Sequence, residues 1–323
     1  MSNYNVEEQQ TLTPESEPIV SVEKSTSDKR AVFLRVLPLI LSVMAIVLSV
    51  WALIRTLPPD GNAEKKDTDM VYAQPGTIIT YKDRQLPAFT QVGLSRYDPA
   101  CFAAADGRVT YMQDEKTART GVDVSFYQKD IDWKQVKAAG IDFAIIRVGF
   151  RGYGSSGLIS EDSCFRQNVA GALEAGLQVG VYFFSQAVNV WEAREEANFV
   201  LSAIQGYDIT FPVVFDWERI TNNSSARTND MPGSTMTLCA QAFCDTIAQA
   251  GYTPVVYFNQ DAGYLDYDLD LLKNYGFWLA EYRSSPTFYY HFDLWQYTAK
   301  GRIPGIEGDV DLNLCFADYG KEN

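Results

Sequence analysis

The sequence predicts an α/β chain: a modified TIM-like (β/α) barrel with some helices shortened or missing, preceded by a single transmembrane helix and a small β-rich stalk. Three observations predict it. Eight apolar, β-branched runs recur after residue 120, amphipathic stretches separate the early ones, and an uncharged run of 19 residues, Val36 to Ile54, stands near the start. The expected organisation is a disordered cytoplasmic tail over 1–30, the transmembrane helix over 31–57, a linker and stalk over 58–118, and the barrel over 119–319.

The tail is rich in Glu, Ser and Thr and holds six acidic residues, a composition that cannot bury a core. Only Pro38, Ser42 and Ser49 interrupt the run 36–54. At about 1.5 Å per residue it covers roughly 28 Å, the hydrocarbon thickness of a bilayer. A buried core helix would carry a polar stripe, and this run has none. A cleaved signal peptide is the competing reading, but thirty polar residues precede the run and no A-x-A site follows. Lys24, Lys29, Arg30 and Arg35 precede it, against Arg55, Lys65 and Lys66 after it, a small margin for a cytoplasmic N-terminus. The expected location is therefore the cell membrane, single-pass, with the large domain outside. Pro58-Pro59-Asp60-Gly61-Asn62 opens a polar linker, and the strand-like runs 77–81 and 108–112 with the turn Asp106-Gly107 make up the stalk.

From Gly121 the pattern becomes regular. Strand-like runs occupy 121–125, 143–149, 178–184, 211–218, 253–259, 277–282, 293–298 and 310–314, with amphipathic stretches at 133–139, 165–175, 190–204 and 236–250. Gly140, Gly176 and Gly251 stand where helices should end. Near-continuous apolar strands separated by helices are parallel strands buried on both faces. Eight in about 200 residues suggest a closed barrel, with a doubly wound open sheet as the alternative.

Composition excludes several functions. The net charge of −14 argues against nucleic acid, whose binding rests on clustered Lys and Arg. His291 is the lone histidine, so multi-histidine metal sites are excluded. The five cysteines form no C-x-x-C pair, which excludes a zinc ribbon or a thioredoxin-type site. Cys239 and Cys244, five apart on an expected helix, point to different sides and should not bridge.

In a parallel barrel, reactive groups collect at the C-terminal ends of strands. Asp123, Asp216, Glu218, Glu281 and Asp311 are the acids at or near those ends. Asp216-Trp217-Glu218 is the most unusual, because i, i+2 spacing puts both carboxylates on one face of a strand, Cα atoms about 6.5–7 Å apart. Such acids at the mouth of a buried strand are costly unless paired or used, and their proximity pushes their pKa values apart. Cleavage of a glycosidic bond needs that division. The bland alternative is a structural pair bridging Arg219 or Arg147, the latter also a candidate substrate contact. Tyr182, Trp217, Tyr257, Trp278, Tyr282, Trp295 and Tyr297 lie at the same strand ends, where rings can stack on sugars. Gly152-Tyr153-Gly154-Ser155-Ser156-Gly157 matches a dinucleotide fingerprint, but no helix opens directly after it, so a flexible or sugar-contacting loop is expected. No G-x-S-x-G elbow accompanies His291, which reads as a packing or surface residue.

Five blocks in order, GVDVSFYQ (121–128) with Asp132-Trp133 after it, IDFAIIRVGFRGYGSSG (141–157), QNVAGALEAGLQVGVYFFSQA (167–187), FPVVFDWE (211–218) and WQYT with VDLN (295–298, 310–313), resemble glycoside hydrolase family 25, the Chalaropsis-type lysozymes. The resemblance spans about residues 119–317. It implies a modified β/α barrel and cleavage of the β-1,4 bond between N-acetylmuramic acid and N-acetylglucosamine in peptidoglycan. By position, Glu218 resembles the family's general acid, Asp216 its partner carboxylate, and Asp123 and Asp311 two further acids of the cleft. Tyr182-Phe183-Phe184 replaces a Tyr-His-Phe run, and Glu281 replaces a histidine, departures that touch substrate contacts rather than the acid set. No metal or organic cofactor is implied. The expected partners are peptidoglycan glycan strands and, through 36–54, the membrane, with no nucleic acid. The i, i+2 spacing favours Glu218 reaching the leaving oxygen while Asp216 assists through the substrate acetamido group. A chitinase-like hydrolase or a non-catalytic wall-binding module are the alternatives.

Overall fold

The structure, a computed structural model, describes residues 70–320. The tail expected over 1–30, the transmembrane helix expected over 31–57 and the start of the linker lie outside the described residues. Two small antiparallel sheets come first. β1 (Ile78–Tyr81) and β2 (Arg84–Pro87) form a hairpin, and β3 (Phe102–Ala105), β4 (Arg108–Gln113) and β5 (Lys116–Thr117) form a three-stranded sheet. Asp106-Gly107 joins β3 to β4 with φ of 52° and 75°, the two positive values that a tight hairpin turn with the right twist requires.

Each apolar run after residue 120 forms a strand. These are β6 (Arg119–Val124), β7 (Phe143–Arg151), then, after the short β8 (Ile159–Glu161), β9 (Gln178–Ser185), β10 (Val213–Trp217), β11 (Pro254–Asn259), β12 (Gly276–Ala280), β13 (Leu294–Gly301) and β14 (Val310–Cys315). β6 pairs with both β7 and β14, so eight strands close on themselves in the order β6-β7-β9-β10-β11-β12-β13-β14. β8 folds back antiparallel on β7 outside this ring.

This topology corrects the expected fold class. The structure is an eight-stranded β-barrel with few helices. Among the described residues, α1 (Trp133–Ala138), α2 (Phe165–Glu174), α3 (Val190–Ala203), α4 (Gly233–Gln249) and α5 (Leu269–Leu272) follow five of the ring strands, and the first and last are little more than a turn. No α-helix follows β12 or β13, and β14 runs antiparallel to both neighbours. The cause lies in the link between β13 and β14, residues 302–309, which contains Pro304, Gly305 and Gly308. A parallel crossover needs a dozen or more residues, so a link this short returns the chain antiparallel. Nor does a transmembrane helix form part of the described fold: no helix among the described residues is long and apolar enough to cross a membrane.

Alternation along the strands divides the core in two. Inward residues such as Phe143, Ile145, Val214, Val255, Trp278 and Leu294 fill the barrel. Outward ones such as Val122, Val181, Phe215, Val256 and Leu312 belong to the outer core around the barrel. Where helices are missing, residues 70–118 cover the wall instead. The Phe102 ring meets Trp295 edge-on with centroids 5.3 Å apart, Tyr111 meets Phe316 at 5.2 Å and Tyr97 stacks on Phe316 at 4.1 Å. The β1–β2 turn is tied down separately, since the Tyr81 hydroxyl (2.9 Å) and Lys82 Nζ (2.7 Å) both donate to Asp261. His291 packs here, stacked on Tyr97 and within 3.2 Å of Asp293. All five cysteines are free thiols, and Cys239 and Cys244 are buried on α4 without bridging.

Candidate active site

The barrel mouth holds a cleft of about 520 Å³. Asp123 from β6, Asp216 and Glu218 from the end of β10, and Asp311 from β14 all line it, with Arg147, Tyr182, Tyr257, Trp278 and Tyr282. Asp123 and Asp311 stand directly opposite each other in the β6–β14 ladder. Asp311 is the second residue of its strand rather than the last, and reaches the same mouth because β14 runs antiparallel.

Three of the seven aromatics expected at the strand ends, Trp217, Trp295 and Tyr297, are not in the cleft. Trp217 lies between Asp216 and Glu218, so alternation turns its ring outward, where its indole N–H donates to the Ala187 carbonyl at 3.2 Å. Trp295 faces outward for the same reason and donates to the Glu281 carbonyl at 2.8 Å. Tyr297 is likewise in the outer core. Glu281 is a strut, accepting from the Thr287 backbone N–H (2.8 Å) and hydroxyl (2.6 Å) across the β12–β13 loop. The alternative pairing of the β10 acids does not form: Arg219 pairs with Asp266 at 2.6 Å and Arg147 with Asp162 at 2.7 Å, leaving Asp216 and Glu218 without a salt bridge among the described residues.

The polar groups behind the acids escaped the sequence reading. Asn313 Nδ2 (2.7 Å) and Gln296 Nε2 (3.0 Å) both donate to Asp123 Oδ2. Gln296 is held in turn, because its Oε1 accepts from the Tyr257 (3.0 Å) and Tyr282 (2.9 Å) hydroxyls, and Trp278 Nε1 donates to Asn313 Oδ1 at 2.9 Å. Strand alternation was the available signal, since Gln296 and Asn313 share the parity of Leu294 and Asp311. Asp162 is a second support. Its carboxylate accepts from Arg147 Nε at 2.7 Å, the Phe126 N–H at 3.0 Å and the Cys164 N–H at 2.9 Å, fixing the 126–128 turn beside the cleft. Tyr127 and Gln128 on that turn and Tyr153 on the glycine-rich loop also line the cleft. Tyr153 stands on the loop expected to be flexible or sugar-contacting, whereas nothing in the spacing of Tyr127 and Gln128 marks them as contacts.

Burial dominates the electrostatics. All four acids are held above the ordinary carboxylate range, first by desolvation and then by one another. Burial lifts Asp123 to about 6, against the Asn313 and Gln296 amides, which favour its ionised form. Asp311 rises to about 8, with the Asp123 charge adding to burial. Asp311 is also the second cause for Glu218, whose carboxyl is pushed up, and Asp216 is raised well above its usual value with only Arg147 opposing. Asp216 Oδ1 is buried without a hydrogen-bond partner among the described residues. The cleft therefore offers a carboxyl that retains its proton, a partner carboxyl with a bare oxygen, and aromatic walls. Among the described residues no group of acids, histidines and cysteines is arranged to hold a metal ion.

The profile of the glycosyl hydrolases family 25 matches residues 122–306, more than half of the chain. The chain belongs to glycosyl hydrolase family 25. The family 25 chain is 28% identical over 239 residues to lysozyme M1 of Streptomyces globisporus, covering 70% of this chain and 76% of that one. Among solved structures it resembles the modular autolysin LytC of Streptococcus pneumoniae in complex with a synthetic peptidoglycan ligand, with TM-score 0.51 and 25% identity over 66% of this chain and 51% of LytC. It thus spans about half of that autolysin's length. A family 25 glycosyl hydrolase from Bacillus anthracis shares the fold, with TM-score 0.54 and 23% identity over 67% of this chain and 96% of the other.

Proposed function

We propose that this family 25 hydrolase is a muramidase that cleaves the β-1,4 bond between N-acetylmuramic acid and N-acetylglucosamine of peptidoglycan, and that it acts outside the cell, where that polymer lies. The observation that carries the reading is the gathering of Asp123, Asp216, Glu218 and Asp311 around one aromatic-walled cleft. Its relatives include proteins named lysozyme and autolysin.

In this reading Glu218 protonates the leaving O4 oxygen. Burial, and after it the Asp311 carboxyl, raise its pKa, the direction a general acid needs. Asp216 works through the substrate: the acetamido N–H donates to its bare Oδ1, which favours the carboxylate form and aligns the acetamido oxygen for attack on its own anomeric carbon. No covalent bond to the enzyme forms by this route, one of the recognised departures from the two-carboxylate nucleophile scheme. Asp123, tied by two amides, holds the sugar from the opposite wall, while Tyr182, Tyr257, Trp278 and Tyr282 offer faces to the rings and Arg147 a cationic edge. No cofactor enters any step. Digestion of purified peptidoglycan followed by reduction of the new ends tests the reading. Reduced muramic acid at the product ends is the expected result, and reduced glucosamine would transfer the chain to the chitinase-like alternative. No release at all would favour a wall-binding module.

A further inference from the structure

A second cavity of about 430 Å³ lies against the rim of the cleft. One wall is the β3–β4 hairpin, Ala104 to Val109; the other is Tyr282, Arg283 and Ser284 of the β12–β13 loop. The hairpin lies outside the family-matched residues 122–306. Tyr282 belongs to both cavities. We infer that this shelf is an extra glycan subsite, in which one further sugar of the strand held in the catalytic cleft stacks beside Tyr282 and lies over the hairpin. The inference rests on the muramidase reading above.

Four features fit a sugar. Tyr282 is 58% exposed, yet its hydroxyl is pinned to Gln296, so the ring is presented without a rotamer to freeze. Ala104 and Ala105 are exposed and small, leaving a smooth floor for the C–H face of a pyranose. Arg283 spends part of its guanidinium on Glu281, at 3.1 Å, and with 60% of its side chain exposed it keeps further N–H donors for hydroxyl or acetamido oxygens. Continuity decides the occupant, because a polymer threaded through the cleft past Tyr282 meets the shelf as its next surface. A substrate that ends in the cleft never reaches it.

The subsite therefore predicts a dependence on chain length. Ala105→Trp and Ser284→Trp each fill the shelf, from opposite walls and at positions outside the acid set. kcat/KM is measured with the full chain on long peptide-free glycan strands and on a tetrasaccharide, with thermal melts checking that each variant is folded. The expected result is a loss of about tenfold on long strands, one stacked sugar's worth of affinity, with the tetrasaccharide unchanged. Unchanged rates on long strands in both folded variants, or equal losses on both substrates, overturn the subsite. A loss seen only when stem peptides are attached assigns the shelf to peptide and overturns the glycan assignment. If the unsubstituted enzyme cleaves neither substrate, the muramidase reading fails and the subsite fails with it.

Discussion

Asp311 shows how a single residue can serve the site at the expense of the fold. It sits opposite Asp123 in the ladder, and burial beside that second acid lifts its carboxyl to about 8. An unfolded chain releases this proton near pH 4, so between about pH 4 and pH 8 the folded state binds more protons than the unfolded state. Stability consequently falls as pH rises through that window. Asp311→Asn removes the titration, and its melting temperature relative to the unsubstituted protein should rise progressively from pH 4 to pH 8. Parallel melting curves across that range would show that Asp311 ionises freely. The same pH series on Asp123→Asn should give a smaller effect, confined to lower pH, because two amide donors hold Asp123 at about 6.

At the scale of elements, α3 is fastened to the barrel by a buried polar chain that ends at the site. Glu196 on α3 accepts from Arg151 Nε of β7 and from the Ser185 hydroxyl of β9, both at 2.6 Å. The next residue, Gln186, is fully buried, accepts from the Thr228 hydroxyl at 2.7 Å and donates to the Glu218 carbonyl at 2.8 Å. Glu196→Ala strips the buried one of three carboxylate partners from Arg151 and leaves the Ser185 hydroxyl without its acceptor, a loss readable as a lowered urea midpoint. An unchanged midpoint would mean that Glu195 and Glu192 neutralise Arg151 by themselves. Most strands of this barrel were legible in the sequence, since runs such as 143–149 and 178–184 are apolar on both faces. The direction of β14 was not, because a strand reads the same either way and only the short 302–309 link distinguishes them. The acids were legible by type and position. Position at a strand end does not tell which face a side chain takes; alternation turns Trp217 and Trp295 outward and brings Gln296 and Asn313 inward. Long-range partners such as Asp162 with the 126–128 turn leave no local pattern at all.

At the scale of the whole molecule, charge and closure matter most. The first 55 residues hold 5 basic and 6 acidic residues, so the remainder carries −13 of the total −14. A domain so charged is repelled by an anionic wall, and salt screens that repulsion beyond about 8–10 Å at moderate ionic strength. Activity on whole walls should hold or rise between very low and moderate salt, whereas a steep monotonic loss would reveal a basic patch that guides binding. Closure of the ring is what brings acids from the first, fourth and last barrel strands around one bond, and the central claim is that Glu218 and Asp216 divide the work there. Comparing Glu218→Gln with Asp216→Asn on wall polymer and on a substrate whose activated leaving group needs no protonation tests this most directly. Glu218→Gln should lose about 10²–10⁴-fold on polymer yet retain far more on the activated substrate, while Asp216→Asn loses both about equally. A nearly silent Asp216→Asn, an equal loss on both substrates for Glu218→Gln, or a glycosyl adduct trapped on Asp216 would contradict the account.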